Sequence, residues 1–177
     1  MSVVTLSGRA RRLGDNINTD YIVSSRRKRE TIEEAALTRY LLEGVDPAFA
    51  ASVQPGDVLV AGRNFGCGSA MEIAVTVILA AGIRAVVAQS FSRTFFRNAV
   101  NNGLLAVSCD TAGISEGDRL VIAAGDDAVR VSNETRGTVI EGAPLPPALR
   151  GIVSAGGLAP YVRRFGRLGV GGKEGTA

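Results

Sequence analysis

The chain has 177 residues, of which 46% are hydrophobic, which is enough for one substantial core and too few for two. Lysine and arginine number 20 against 17 acidic residues, and the resulting net charge of +3 favours small acidic ligands while being too mild for a nucleic-acid surface. Histidine is absent altogether, which excludes imidazole general-base catalysis, Ser-His-Asp triads and most protein-held catalytic metals. Two cysteines, Cys67 and Cys109, cannot form a disulfide framework and fall short of a zinc or iron–sulfur ligand set, so no metal site is expected. No apolar run approaches the ~18 residues of a membrane span, and the first residues lack a signal-peptide hydrophobic region, so a soluble cytoplasmic protein is expected.

In chain order, residues 3–13 predict a strand that leads into the polar turn Gly14-Asp15-Asn16-Ile17-Asn18-Thr19-Asp20. The run Arg26-Arg27-Lys28-Arg29 follows and reads as a basic loop, either a solvated stretch or a shaped anion-binding one. Thr31 can cap a helix reaching Leu42, with Glu34 at the capping-box position and Gly44 as the stop. Asp46-Pro47 opens a second, short helix, and Gln54-Pro55-Gly56-Asp57 turns the chain into a strand over 58–61. A glycine-rich loop and a helix over 70–81 come next, then a strand over 83–88, a helix over 90–102 and a strand over 104–108. Residues 119–124, 128–132 and 137–141 are short β-like runs, and Pro146-Pro147 starts a last helix ending at Gly156-Gly157. With no repeat and no linker, residues 1–160 read as one α/β domain and 161–177 as a basic, glycine-rich flexible tail.

The most informative stretch is Gly62-Arg63-Asn64-Phe65-Gly66-Cys67-Gly68-Ser69-Ala70-Met71-Glu72. Glycines at a strand-to-helix turn let backbone N–H groups approach a ligand, and the following helix turns its positive end the same way. An anion is the natural occupant. Ser69, with Glu72 three residues on, also matches the Ser-x-x-Glu capping box, so at this point it is either a helix cap or a reactive group.

Three motifs occur in order at suitable spacing: Asn18-Thr19-Asp20-Tyr21-Ile22, Gly62 to Ser69, and Ser90-Phe91-Ser92-Arg93-Thr94-Phe95-Phe96-Arg97-Asn98 through Gly103. Together they resemble the small-subunit family of 3-isopropylmalate dehydratases, which is similar to the swivelling domain of aconitase. The likeness runs from about Val3 to Gly157. It implies a single β/β/α swivelling domain, with a mainly parallel sheet flanked by helices. It also implies a hydro-lyase subunit, active only with a large partner subunit whose cysteines hold a [4Fe-4S] cluster. The partner pair would isomerise a small di- or tricarboxylate by dehydration and rehydration, with leucine biosynthesis as the default setting. By motif position Ser69 is the catalytic serine, and Gly68 and Ala70 flank it as substrate-binding residues. Arg26 falls on the carboxylate-binding arginine, while Arg27, Lys28 and Arg29 fall on the segment that selects the substrate's variable group.

Two departures stand out. The family pattern after the cysteine is Gly-Ser-Ser-Arg-Glu, but this chain has Met71 where that arginine would grip a carboxylate. The selectivity segment is cationic, which suits a polar substituent better than an isopropyl group, so homoaconitase-, citraconate- or dimethylmalate-type substrates are alternatives. Outside the hydro-lyase class, residues 62–69 could cradle a phosphate in a non-catalytic module, although the loop lacks a Lys-Ser/Thr ending. A nucleic-acid binder would rest on Arg26 to Arg29 and on the basic tail, and few aromatics support it. No membrane or nucleic-acid partner is therefore expected, and self-association is open when the large subunit is missing.

Overall fold

One long strand organises the sheet. In the computed structural model, which describes residues 3–166, β1 (Val4–Arg12) pairs with two neighbours of opposite sense. Its C-terminal part runs parallel to β2 (Val58–Ala61), with Ala10 beside Val58 and Arg12 beside Val60. Its N-terminal part runs antiparallel to β5 (Arg119–Ala124), from Val4 opposite Ala124 to Arg9 opposite Arg119. β3 (Ala85–Ala88) and β4 (Leu105–Ser108) extend the parallel half, while β6 (Val129–Asn133) and β7 (Thr138–Gly142) extend the antiparallel half. The seven strands lie in the order β4-β3-β2-β1-β5-β6-β7. The sheet is thus half parallel and half antiparallel rather than mainly parallel as the resemblance implies. It also curls, because the Ala143 amide donates to the Ser108 carbonyl at 2.7 Å and so brings the β7 edge to the β4 edge.

The residue patterns explain the two halves. Every residue of β2 and β3 is buried, as expected for parallel strands covered on both faces. β5 and β6 alternate between buried and exposed positions, as antiparallel strands with one wet face do. One core packs Ile22, Leu37, Leu41, Leu42, Phe65 and Ile78 against the parallel half. A second fills the concave side with Val60, Val87, Leu120, Ile122 and Val131, closed by α7 (Pro147–Ser154) through Ile152 and Val153. Among the described residues no helix is long and apolar enough to cross a membrane.

Several expected elements shift. The basic run is a helix, not a loop: α1 (Thr19–Ile22) is followed by α2 (Ser25–Glu30). Ser24 caps α2 by accepting from the Arg27 amide at 3.3 Å, Asp20 accepts from the Ser25 amide at 2.7 Å, and Arg27, Lys28 and Arg29 fall in its last turn, where the helix dipole favours them. Thr31 ends α2 instead of starting the next helix, which is reduced to α3 (Glu34–Leu37) and a 3-10 turn over Thr38–Tyr40. The chain breaks there because buried Leu42 takes a left-handed φ of 57° to bond its amide to the Ile22 carbonyl. The helix expected at Asp46-Pro47 begins two residues later, as α4 (Phe49–Ser52). Leu158–Phe165 forms α8, which places Arg163 and Arg164 on a helix. Residues 167–177 of the expected tail lie outside the described residues.

A buried ion cluster locks the start of β2 to β1. Asp57 accepts from Arg9 at 2.8 and 3.1 Å and from Arg11 at 3.3 Å, and Arg11, with 7% of its side chain exposed, also meets Glu116 at 2.8 Å. Burial alone would push the Asp57 carboxyl up, but bonds from Arg9, the Gln54 amide and Arg11 outweigh it and hold the group below the usual range. The depressed folded value means that this stabilisation is present above pH ~4 and is lost as pH falls through the lower folded value. Asp57→Asn should cost about 3 kcal/mol at pH 7, because it leaves Arg9 and Arg11 short of a partner. Urea unfolding at pH 7 and pH 3 would check this: the gap between variant and parent should narrow at pH 3.

Candidate functional site

The loops after β1, β2 and β3 all emerge from the C-terminal ends of parallel strands, the edge at which open α/β sheets usually bind ligands. Each of these loops carries one of the three sequence motifs, and the fold ties them together. The Asn16 amide donates to the Arg63 carbonyl at 2.8 Å, Gly66 to Ile17 at 2.8 Å, and Thr19 to Cys67 at 2.8 Å. From the other side Phe65 donates to the Ser90 carbonyl at 2.9 Å, and Ser92 returns a bond to the Phe65 carbonyl at 2.9 Å. Side chains reinforce the junction. Asn64 donates to Asn16 at 3.0 Å, and the Ser92 hydroxyl donates to the Gly66 carbonyl at 2.7 Å.

Two glycines make so close an approach possible. Gly66 has φ +76°, and a Cβ there would overlap the Phe95 ring. Gly68 has φ +94°, and its Cβ would run into the Asn18 side-chain amide. Beneath them Phe65, Phe91 and Phe95 form a small aromatic stack, with the Phe65 and Phe95 rings edge to face at 5.0 Å. These phenylalanines are packing residues that seat the loop.

Ser69 stands where the bonded part of this loop ends. It is exposed, and among the described residues its hydroxyl has no hydrogen-bond partner. The helix reading of this residue is corrected by the structure, because α5 (Ile73–Ala80) begins four residues later with Glu72 at the cap position. The Glu72 carboxylate is turned away to accept from Asn102 at 3.0 Å instead of closing a capping box. Ser69 is held through its backbone: Thr19 Oγ1 donates to its carbonyl at 3.0 Å, and the Met71 amide donates to the same carbonyl at 2.9 Å. The amides of Gly68, Ser69 and Ala70 find no acceptor among the described residues, so three successive unpaired N–H donors lie in the chain around the residue whose hydroxyl is also unpaired. The sequence reading missed Thr19; its signal was the Asn-Thr-Asp turn, but nothing in that turn says which loop it will bind.

The four cations of α2 do not act as one patch. Arg27 is spent inside the fold, bonding Glu43 at 2.9 and 3.2 Å with its guanidinium stacked on Tyr40 at 3.9 Å. Arg26 is 77% exposed and among the described residues pairs only with Glu30, at 3.6 Å. Arg29 is exposed as well. Lys28 turns toward the serine loop, and its ammonium lies on the Met71 sulfur, 3.8 Å from Asp20. Asp20 is held below the usual carboxyl range chiefly by the Ser25 hydroxyl, whose bond is 2.6 Å long.

The two thiols differ in setting. Cys67 lies in the loop with its carbonyl engaged by Thr19, while burial pushes the Cys109 thiol up to about 11 and keeps it unreactive. No group of three His, Cys, Asp or Glu side chains among the described residues could hold a metal ion. An apolar groove lined by Phe91, Phe96, Arg97, Val100 and Leu149 lies beside the junction, and none of its lining residues comes from 62–72.

Comparison with known proteins agrees with this geometry. Residues 11–112 match the aconitase C-terminal domain. The chain is 44% identical over 161 residues to a 3-isopropylmalate dehydratase small subunit of Moorella thermoacetica, spanning 90% of this chain and 95% of that one. It is 39% identical to an isopropylmalate/citramalate isomerase small subunit of Methanocaldococcus jannaschii, over 90% of this chain and 94% of that one. A solved 3-isopropylmalate dehydratase structure from Methanocaldococcus jannaschii superposes with a TM-score of 0.83 at 35% identity, covering 92% of this chain and 96% of that one.

The junction is sensitive to a single methyl group. Gly66→Ala should destabilise the chain by about 3 kcal/mol, summing a left-handed φ on alanine and a clash with Phe95. Thermal unfolding of the variant beside the parent measures this. A loss below about 1 kcal/mol would show that the three loops are not held as tightly as the bonding pattern requires.

Proposed function

Because the chain belongs to the aconitase C-terminal domain family and, within it, to the small subunits of 3-isopropylmalate dehydratase, we propose that it is the small half of a hydro-lyase of that type. With a large subunit it moves a hydroxyl between adjacent carbons of a malate-type dicarboxylate, by dehydration and rehydration, in the cytoplasm. The leaving hydroxyl calls for a Lewis acid, and a [4Fe-4S] cluster on the large subunit supplies that chemistry. With two cysteines and no histidine this chain has too few thiolates for a [4Fe-4S] cluster, whose ligands would come from the partner.

The part that this chain plays is the proton. Ser69, ionised by loss of its hydroxyl proton to solvent, takes a proton from the carbon next to a substrate carboxylate onto its Oγ, which restores the neutral hydroxyl, and gives that proton back on rehydration. In water a serine hydroxyl is far too weak a base for this. The amides of Gly68, Ser69 and Ala70 have no acceptor among the described residues and are therefore available to stabilise the Ser69 alkoxide. Arg26, exposed on α2, pairs with a substrate carboxylate when the large subunit covers this edge. The carrying observation is the unpaired Ser69 hydroxyl among three free amides at the point where the three motifs meet.

The test is anaerobic reconstitution with the cluster-bearing subunit. Ser69→Ala should lower kcat on a malate-type substrate by on the order of 10³-fold, while the fold and the complex persist. Near-normal turnover of that variant would reduce the serine to a loop residue. In the same assay Arg26→Ala should raise KM by roughly 10–100-fold and change kcat little, the loss expected for one charge-assisted contact.

A further inference from the structure

Lys28 is in an unusual position for a cation. Only 14% of its side chain is exposed, and its ammonium rests on the sulfur of Met71. A thioether is a weak acceptor and repays little of the hydration that the ammonium gave up. The nearest carboxylate oxygen, on Asp20, is 3.8 Å away and already accepts from the Ser25 amide at 2.7 Å and the Ser25 hydroxyl at 2.6 Å. Desolvation accordingly lowers the Lys28 pKa, and Asp20 restores only part of it. The neighbouring cations of α2 are either paired within the fold or directed to solvent. Lys28 alone is turned onto the loop whose exposed serine lies two residues before Met71.

The Lys28 ammonium has one carboxylate neighbour among the described residues, Asp20 at 3.8 Å, and because that oxygen is shared with Ser25 the charge is only partly met. The free amides of Gly68, Ser69 and Ala70 on the same loop want an anion too. We propose that Lys28 binds a substrate carboxylate beside Ser69, supplying from α2 the positive charge that residue 71 does not supply from the loop, with Met71 as the platform that positions it. This inference rests on the dehydratase reading above. An arginine at 71 would offer a planar, bidentate fork, whereas Lys28 offers a point charge on a flexible stem. The bound carboxylate is the one attached to the carbon that loses its proton, since that group lies closest to Ser69 during the transfer.

The experiment uses the reconstituted complex and steady-state kinetics with a malate-type dicarboxylate. Lys28→Met should raise KM by roughly 10–100-fold with kcat less affected, with Tm shifted by less than about 2 °C and subunit association unchanged. Adding Met71→Arg to Lys28→Met should recover most of the lost affinity, because a guanidinium then reaches the same space from the other side. A KM for Lys28→Met within about threefold of the parent would overturn the assignment. So would a loss that Met71→Arg does not rescue and that comes with weaker folding or weaker subunit association, since that pattern belongs to a structural lysine at the α1–α2 corner. A parent complex that turns over no malate-type dicarboxylate would instead overturn the dehydratase reading, whereas an active parent with an insensitive Lys28→Met removes only the role of Lys28.

Discussion

Peptide groups pairing between three loops are the constraint on which the site depends. The segments after β1, β2 and β3 leave the sheet with backbone donors and acceptors that no strand can satisfy, and they satisfy one another instead. Gly66 with Ile17, Thr19 with Cys67 and Phe65 with Ser90 are mutual obligations, so no single loop can move without stranding buried polar groups in the others. The pairing is possible only because Gly66 and Gly68 present no Cβ to Phe95 and Asn18. Rigid backbone up to Cys67 and free donors from Gly68 onward are two sides of the same arrangement: the loop is fixed where it meets its neighbours and open where it passes them.

Charge is divided in the same way. Arg9, Arg11, Arg27 and Arg136 are tied to carboxylates in the fold, where each side chain stabilises a junction between elements. Arg26 and Lys28 are held more loosely. Arg26 is largely exposed, 3.6 Å from Glu30, and Lys28 lies 3.8 Å from an Asp20 oxygen that also accepts from Ser25, which leaves positive charge partly unmet on the helix next to the loop with free amides. Free donors and loosely paired cations at one end of a sheet describe an anion site that still lacks a roof.

That missing roof bears on why such a chain works as half of an enzyme. An alkoxide in bulk water gains little from fixed donors, because solvent competes for it and screens the field. Ser69 is exposed in the isolated chain, so the stabilisation that its neighbours offer becomes large only when another protein excludes water from this edge. The absence of histidine fits the same picture, since a site built on a covered hydroxyl and backbone donors does not need an imidazole.

Much of the fold was legible from residue patterns. The unbroken apolar runs of β2 and β3, the alternation of β5 and β6, and the glycine-rich turn after Ala61 have local causes, and the structure places strands and loop where those causes put them. Elements decided by which of several possible partners a polar group takes were not legible. Arg26 to Arg29 read as a loop, but Asp20 and Ser24 cap them into a helix. Thr31 and Ser69 both carry capping-box spacing, yet neither starts a helix, because the Thr31 backbone closes α2 and the Glu72 carboxylate is claimed by Asn102. The sequence by itself determined the class of fold, the three motifs and the candidate serine, since these follow from local periodicity and residue type. Only the tertiary structure decided that the motifs share one edge, that the Ser69 hydroxyl has no partner among the described residues, and that Lys28 of all the α2 cations reaches Met71 on the same loop. Those facts depend on which distant groups compete for the same hydrogen bonds and the same space, and that competition exists only once the chain has folded.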